Sequence, residues 1–133
     1  MTSPVIIGRE YEFEVVTLLR SSGMTCKHIG GRGDKGIDIR GEIRGTKFVV
    51  QCKRWNHPIG PIIIREMKGV LAEEQVGTIG IVVAPYSSAK AIETARLSVF
   101  PIIVTDKAHI EIYILHMIID FLKKRPFKFI HIP

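Results

Sequence analysis

Two short runs constrain this chain more than anything else in it. The first is Gly33-Asp34-Lys35-Gly36-Ile37-Asp38-Ile39, and the second is Val49-Val50-Gln51-Cys52-Lys53-Arg54. Alternation makes both of them strands, with Ile37 and Ile39 on one face of the first and Asp38 and Arg40 on the other. In the second, Val50 and Cys52 share a face, and Gln51 and Lys53 share the opposite one. Gly45 between them predicts a tight turn and antiparallel pairing. An acid, an amide and an ammonium would then converge on one side of a two-stranded ribbon, with apolar side chains behind.

That set of groups suits phosphodiester chemistry with a hard divalent cation. The Asp38 carboxylate and the Gln51 side-chain carbonyl are oxygen ligands of the kind such an ion needs. Lys53 offers a compact positive charge for a phosphate oxygen or for positioning a water. Alternation by itself is equally compatible with an exposed hairpin of ordinary polar residues.

Asp38 followed by Gln51-Cys52-Lys53 resembles the D…(E/Q)xK signature of the PD-(D/E)xK nuclease superfamily. The fuller pattern, Gly33-Asp34-x-Gly36-Ile37-Asp38 with Gln51-Cys52-Lys53-Arg54-Trp55, resembles the catalytic domain of Mrr-like restriction endonucleases. Gly8-x-x-Tyr11-Glu12 with Val15, Leu19 and Gly23 is similar to that family's first helix. Ile79-Gly80-Ile81-Val82-Val83 and Ser87-Ser88-x-x-Ala91 fit downstream, so the likeness runs over residues 8–115. It implies an α/β, restriction-endonuclease-like fold with a central mixed sheet flanked by helices.

It also implies a Mg2+-dependent endodeoxyribonuclease, with Mn2+ as substitute. Catalysis would fall to Glu12, Asp38, Gln51 and Lys53, and metal binding to Asp38, Gln51, the backbone carbonyl of Cys52, and Glu12. Glu12 follows the aromatic in the family's helix register; Glu10 is the reserve. Arg32, Lys35 and Arg54 would hold the DNA backbone. Gln51 in place of glutamate makes the site less negative, which weakens metal binding and raises the importance of Glu12.

Length and charge narrow the class further. With 133 residues the chain reads as one domain, 1–133, and a net charge of +6 fits a polyanionic partner. Mrr-like restriction enzymes typically carry a separate DNA-reading domain, for which 133 residues leave no room. In size the chain is similar to archaeal-type Holliday junction resolvases, which act as dimers on branched DNA. The expected function is therefore a structure-selective nuclease working as a homodimer. The alternatives are a restriction-type catalytic domain and a DNA-binding module that no longer cuts.

Cys26 and Cys52 lack a CxxC spacing, which argues against a disulfide framework, and Cys26 with His28 on one strand face is too little for a zinc site, so that pair reads as structural. The first nine residues lack a secretory pattern, and the apolar stretch 110–122 is broken by Glu111, His116 and Asp120. The expectation is a soluble intracellular protein without membrane association.

The remaining elements follow from periodicity. Helices are expected over 8–22, 61–76, 88–98 and 108–124, with strands over 25–29, 78–84 and 100–104. The order is α-β-β-β-α-β-α-β-α, with Ser87 or Ser88 capping the third helix. Glu10, Glu12 and Glu14 would crowd the first turns of the first helix, where the dipole favours acids. Trp55 either stacks on a base or covers the core edge. Ile112, Ile114, Leu115, Met117, Ile118 and Phe121 exceed what one core face needs, leaving some for a partner.

Overall fold

The structure, a computed structural model, describes residues 3–30 and 36–133. Its elements are α1 (Pro4–Ser21), β1 (Thr25–His28), β2 (Ile39–Ile43), β3 (Thr46–Cys52), α2 (Pro61–Ala72), β4 (Ile79–Val83), α3 (Ala89–Arg96), β5 (Ile102–Thr105) and α4 (Ile110–Leu122). This is the expected order. The sheet runs β1-β2-β3-β4-β5, antiparallel through β3 and parallel from β3 to β5. The restriction-endonuclease-like α/β expectation is borne out.

β2 and β3 form the predicted hairpin. Arg44 and Gly45 both have positive φ, 49° and 83°, as a two-residue type I′ turn requires. The turn sets the register that pairs Ile39 with Val50 and Ile43 with Thr46. Parallel partners need longer connections, and here α2 and α3 supply them.

The sheet is covered on both faces. α1 and α4 pack Tyr11, Val15, Leu19, Ile110, Ile114 and Met117 against Ile39, Phe48, Val50, Ile81 and Ile103. α2 and α3 pack Ile63, Ile64, Met67, Ala91 and Ala95 against Val49, Val82, Ile102 and Val104. Met67 fits because Gly80 has no side chain; a Cβ there would lie 2.7 Å from its sulfur. Phe127, Ile130 and Ile132 of the C-terminal segment pack on the first cluster, and the Ile132 amide donates to the Tyr113 hydroxyl at 2.7 Å.

Four expectations are corrected. α1 starts at Pro4, not residue 8, because the Ser3 hydroxyl accepts from the Ile6 amide and proline suits the first helical position. No acid lies in the first turn, so the helix dipole does not account for Glu10, Glu12 and Glu14. α2 stops at Ala72 rather than 76, and Val76 is fully exposed.

The fourth concerns β2. Ile37 and Ile39 do not share a face: Ile37 belongs to the α2/α3 cluster and Ile39 to the α1/α4 cluster. The strand begins only at Ile39, and Gly36 at φ 81° turns the chain into it, so strict alternation does not extend back to Ile37.

Candidate active site

Asp38 sits where three strand ends meet. Its amide donates to the Val50 carbonyl at 2.9 Å, and its own carbonyl accepts from Ile29 and Gly30 at 2.7 and 3.1 Å. The side chain completes the tie, with Oδ2 accepting the Cys52 amide at 2.7 Å. These bonds join the end of β1, the start of β2 and the end of β3, and they fix a carboxyl that is only 8% exposed. Burial pushes its pKa up to about 6; the Cys52 N–H opposes this, the Glu12 carboxylate adds to it, and Lys53 and His28 pull it down.

Glu12 comes from the middle of α1 and faces the same cleft. Its Oε1 lies 2.8 Å from His28 Nε2, and the His28 ring rests 4.6 Å from Phe13. Glu10 is exposed and lies outside the cleft lining, and Glu14 pairs with Lys107. His28 was read from sequence as structural. Its partner is sixteen residues away, and only the shared face of Cys26 and His28 hinted that the strand turned them toward a helix.

Lys53 follows β3 directly, where its amide donates to the Val83 carbonyl at 2.9 Å. Its side chain lines the cleft with Glu12, Asp38, Cys52 and the exposed Arg54. Cys52 turns its side chain partly into the α1/α4 core, and burial pushes its thiol pKa well up, as for an inert structural thiol.

Gln51 lines an adjoining groove with Glu66 and Val70 of α2, and Gly36 and Lys53 line both that groove and the cleft. Asp38 leaves the alternation of β2 and turns toward α1, while Gln51 keeps the alternation of β3. Gln51 is 7% exposed, and its Oε1 has no hydrogen-bond partner among the described residues. Arg32 and Lys35, with Asp34, lie outside the described residues.

A divalent cation fits these donors in kind. Two carboxylates, one buried and each facing the other's charge, gain from a shared cation, and an orphaned buried amide oxygen is an acceptor in want of one. Among the described residues no three His, Cys, Asp or Glu side chains cluster as a metal site.

A five-stranded mixed sheet between two helical layers, with an acid and a lysine where β2 and β3 part, defines a nuclease-type α/β domain. The chain belongs to the Mrr_cat restriction endonuclease family, whose model matches residues 6–112. That membership implies nuclease activity, and the family generally uses divalent metal ions.

An uncharacterized mitochondrial protein of Schizosaccharomyces pombe, C824.03c, is 29% identical over 109 residues, covering 76% of this chain and 44% of that protein. The chain thus spans less than half of that relative's length. Among solved structures, a protein of unknown function, AF1548, matches with a TM-score of 0.50 at 18% identity. That match covers 79% of this chain and 64% of AF1548 and shows a shared fold. The MspJI restriction endonuclease in complex with a 27-mer oligonucleotide aligns with a TM-score of 0.47 at 23% identity, over 79% of this chain and 27% of that one. Among the described residues no helix is long and apolar enough to cross a membrane.

Proposed function

We propose that this protein is a Mg2+-dependent endodeoxyribonuclease, with Mn2+ as substitute, acting on branched DNA as a homodimer. The observation that carries the reading is the Asp38–Glu12 pair beside Lys53, with Asp38 held near pKa 6 by burial. Asp38 and Glu12, with the Gln51 oxygen and the Cys52 carbonyl, would hold the metal. When bound, the metal supplies Lewis-acid polarisation of the phosphate and lowers the pKa of a water.

The chain's own groups do the rest. Asp38 is pre-positioned by the Cys52 amide, and Glu12 is held in the cleft through its contact with His28. Lys53 stabilises charge building on the phosphate, while Arg54 pairs with a neighbouring phosphate on the DNA backbone. A net charge of +6 favours a polyanion, and Arg32 and Lys35 would add to the backbone contacts.

Support for a homodimer comes from α4, where Ile112, Leu115 and Leu122 are exposed by 43%, 56% and 59%. The family itself favours the second reading, a restriction-type catalytic domain acting on linear duplex. The deciding experiment compares cleavage of a four-way junction with that of linear duplex of the same arm sequence, with Mg2+ and with chelator, and follows assembly by sedimentation. Junction-selective, metal-dependent cutting by a dimer is expected. Equal cutting of both substrates by a monomer would leave a nuclease but remove the branched-DNA reading. Absence of cutting with either metal would leave a DNA-binding module.

A further inference from the structure

At the lip of the cleft the chain presents two stacked rings. Trp55 and His57 lie 4.9 Å apart with their planes 25° from parallel, and Lys53 Nζ lies 5.5 Å from the Trp55 ring centroid. Trp55 also lines the cleft that holds Glu12 and Asp38. One set of contacts therefore joins the cation of the site to an aromatic surface that reaches solvent.

The surface is rigid. Its loop is pinned at one end by the Lys53 amide on the Val83 carbonyl. At the other end Ile59, fully buried, exchanges backbone bonds with Tyr86 and Ser88 at 3.0 and 2.9 Å. Trp55 rests on the α2/α3 core, so its ring is braced from behind, while His57 at the loop's outer end is exposed. Pro58, fixed in φ, stiffens the stretch between His57 and Ile59. A covering role explains the Trp55 contact with the core. It does not explain an exposed imidazole stacked on that indole, in a loop that begins next to Lys53 and Arg54.

We infer that the Trp55–His57 pair is a stacking platform for an unpaired nucleobase of the DNA strand whose phosphate enters the cleft. Bases in duplex are stacked on their neighbours and offer no face, whereas an extruded or unpaired base does; aromatic platforms beside cationic grooves bind such bases without regard to sequence. The platform rests on the DNA reading above and gives it a physical basis for structure selectivity, because a bulge supplies a free base and a branch point interrupts the stacking of the pairs around it.

Trp55 is the only tryptophan in the chain, so its fluorescence reports the contact directly. The protein, with chelator present and no metal, is titrated with a hairpin duplex carrying one extruded adenine and with the same hairpin fully paired. The extruded form should bind about tenfold more tightly and quench Trp55, and a fluorescent adenine analogue at that position should lose emission on binding. His57→Ala, a change at an exposed side chain, should remove most of this preference, and His57→Phe should restore it. Equal affinity and equal quenching with both hairpins would overturn the inference, as would a His57→Ala protein that discriminates like the parent. The measurement needs no cleavage. A protein that prefers the extruded base but never cuts loses the nuclease reading alone, and one that cuts without that preference loses the platform alone.

Discussion

β4 and β5 are buried at every position, whereas β1 alternates exposed with half-buried residues and β2 buries only Ile39 and Ile43 of its five. Both halves of the sheet share β3. The parallel half lies under helices on both faces, so β4 and β5 read as apolar runs up to Thr105, whose hydroxyl is buried and donates to the Asp106 carbonyl. The antiparallel half is more open, and its strands leave the ladder at Asp38 and Lys53. The candidate site thus lies where pairing ends, and the fully buried strands where pairing is complete. The cost of that placement is borne by Asp38, a carboxyl buried where its charge is disfavoured.

Substitutions on the two sides should accordingly fail in different ways. The largest effect is expected from Ile81→Ala, which empties a fully buried position between Val50 and Ile103. It should lower unfolding free energy by about 2–5 kcal/mol, read from urea denaturation. Asp38→Ala should slow metal-dependent cleavage by at least about 100-fold, the scale for losing a principal charge-stabilising group. Cleavage at the parent rate would show that the site lies elsewhere.

Asp38→Asn should separate the halves more sharply, by stabilising what it inactivates. A carboxyl raised from 3.8 to about 6 on folding binds more protons folded than unfolded. Its penalty is absent below the unfolded value, grows as pH rises between the two, and is complete above about 6. About two units correspond to a ceiling of roughly 3 kcal/mol, so a gain of about 1–3 kcal/mol in the metal-free protein near pH 7 is expected. If Asp38→Asn were instead less stable than the parent across that range, the carboxyl would not be strained.

The same titration governs the metal. Since a ligand carboxylate must be ionised, Mg2+ should raise Tm more near pH 8 than near pH 5, with the change centred around pH 6. A Mg2+ effect independent of pH would exclude Asp38 from the ligand set. The smallest effect is expected at the periphery. Arg54→Ala should make the dependence of DNA affinity on salt shallower by about one in log–log slope, without altering stability.

Much of the fold was legible because its signals are local. The hairpin announced itself through Gly45, the third helix through Ser88, whose hydroxyl does accept the Ala91 amide, and the buried strands through unbroken apolar runs. What was hidden depends on contacts distant in sequence or on where alternation stops. Glu12 meets His28 across sixteen residues, and no periodicity encodes that pairing. Asp38 departs from its strand because Gly36 turns the chain and the Cys52 amide captures its carboxylate. The family resemblance named the acids and the lysine, but not the two grooves they occupy.

The bond from the Lys53 amide to the Val83 carbonyl also sets a sequence of events during synthesis. Glu12, Asp38, Gln51 and Lys53 have all left the ribosome when the hairpin is complete, yet at that moment β3 is an edge and Lys53 has no acceptor on β4. Thirty residues more must emerge before the strand on its far side can close. A nascent chain therefore holds every acid and base of the site without the site itself, and assembly waits on the slowest kind of pairing, a parallel one. The delay leaves the candidate site incomplete until β4 has paired with β3.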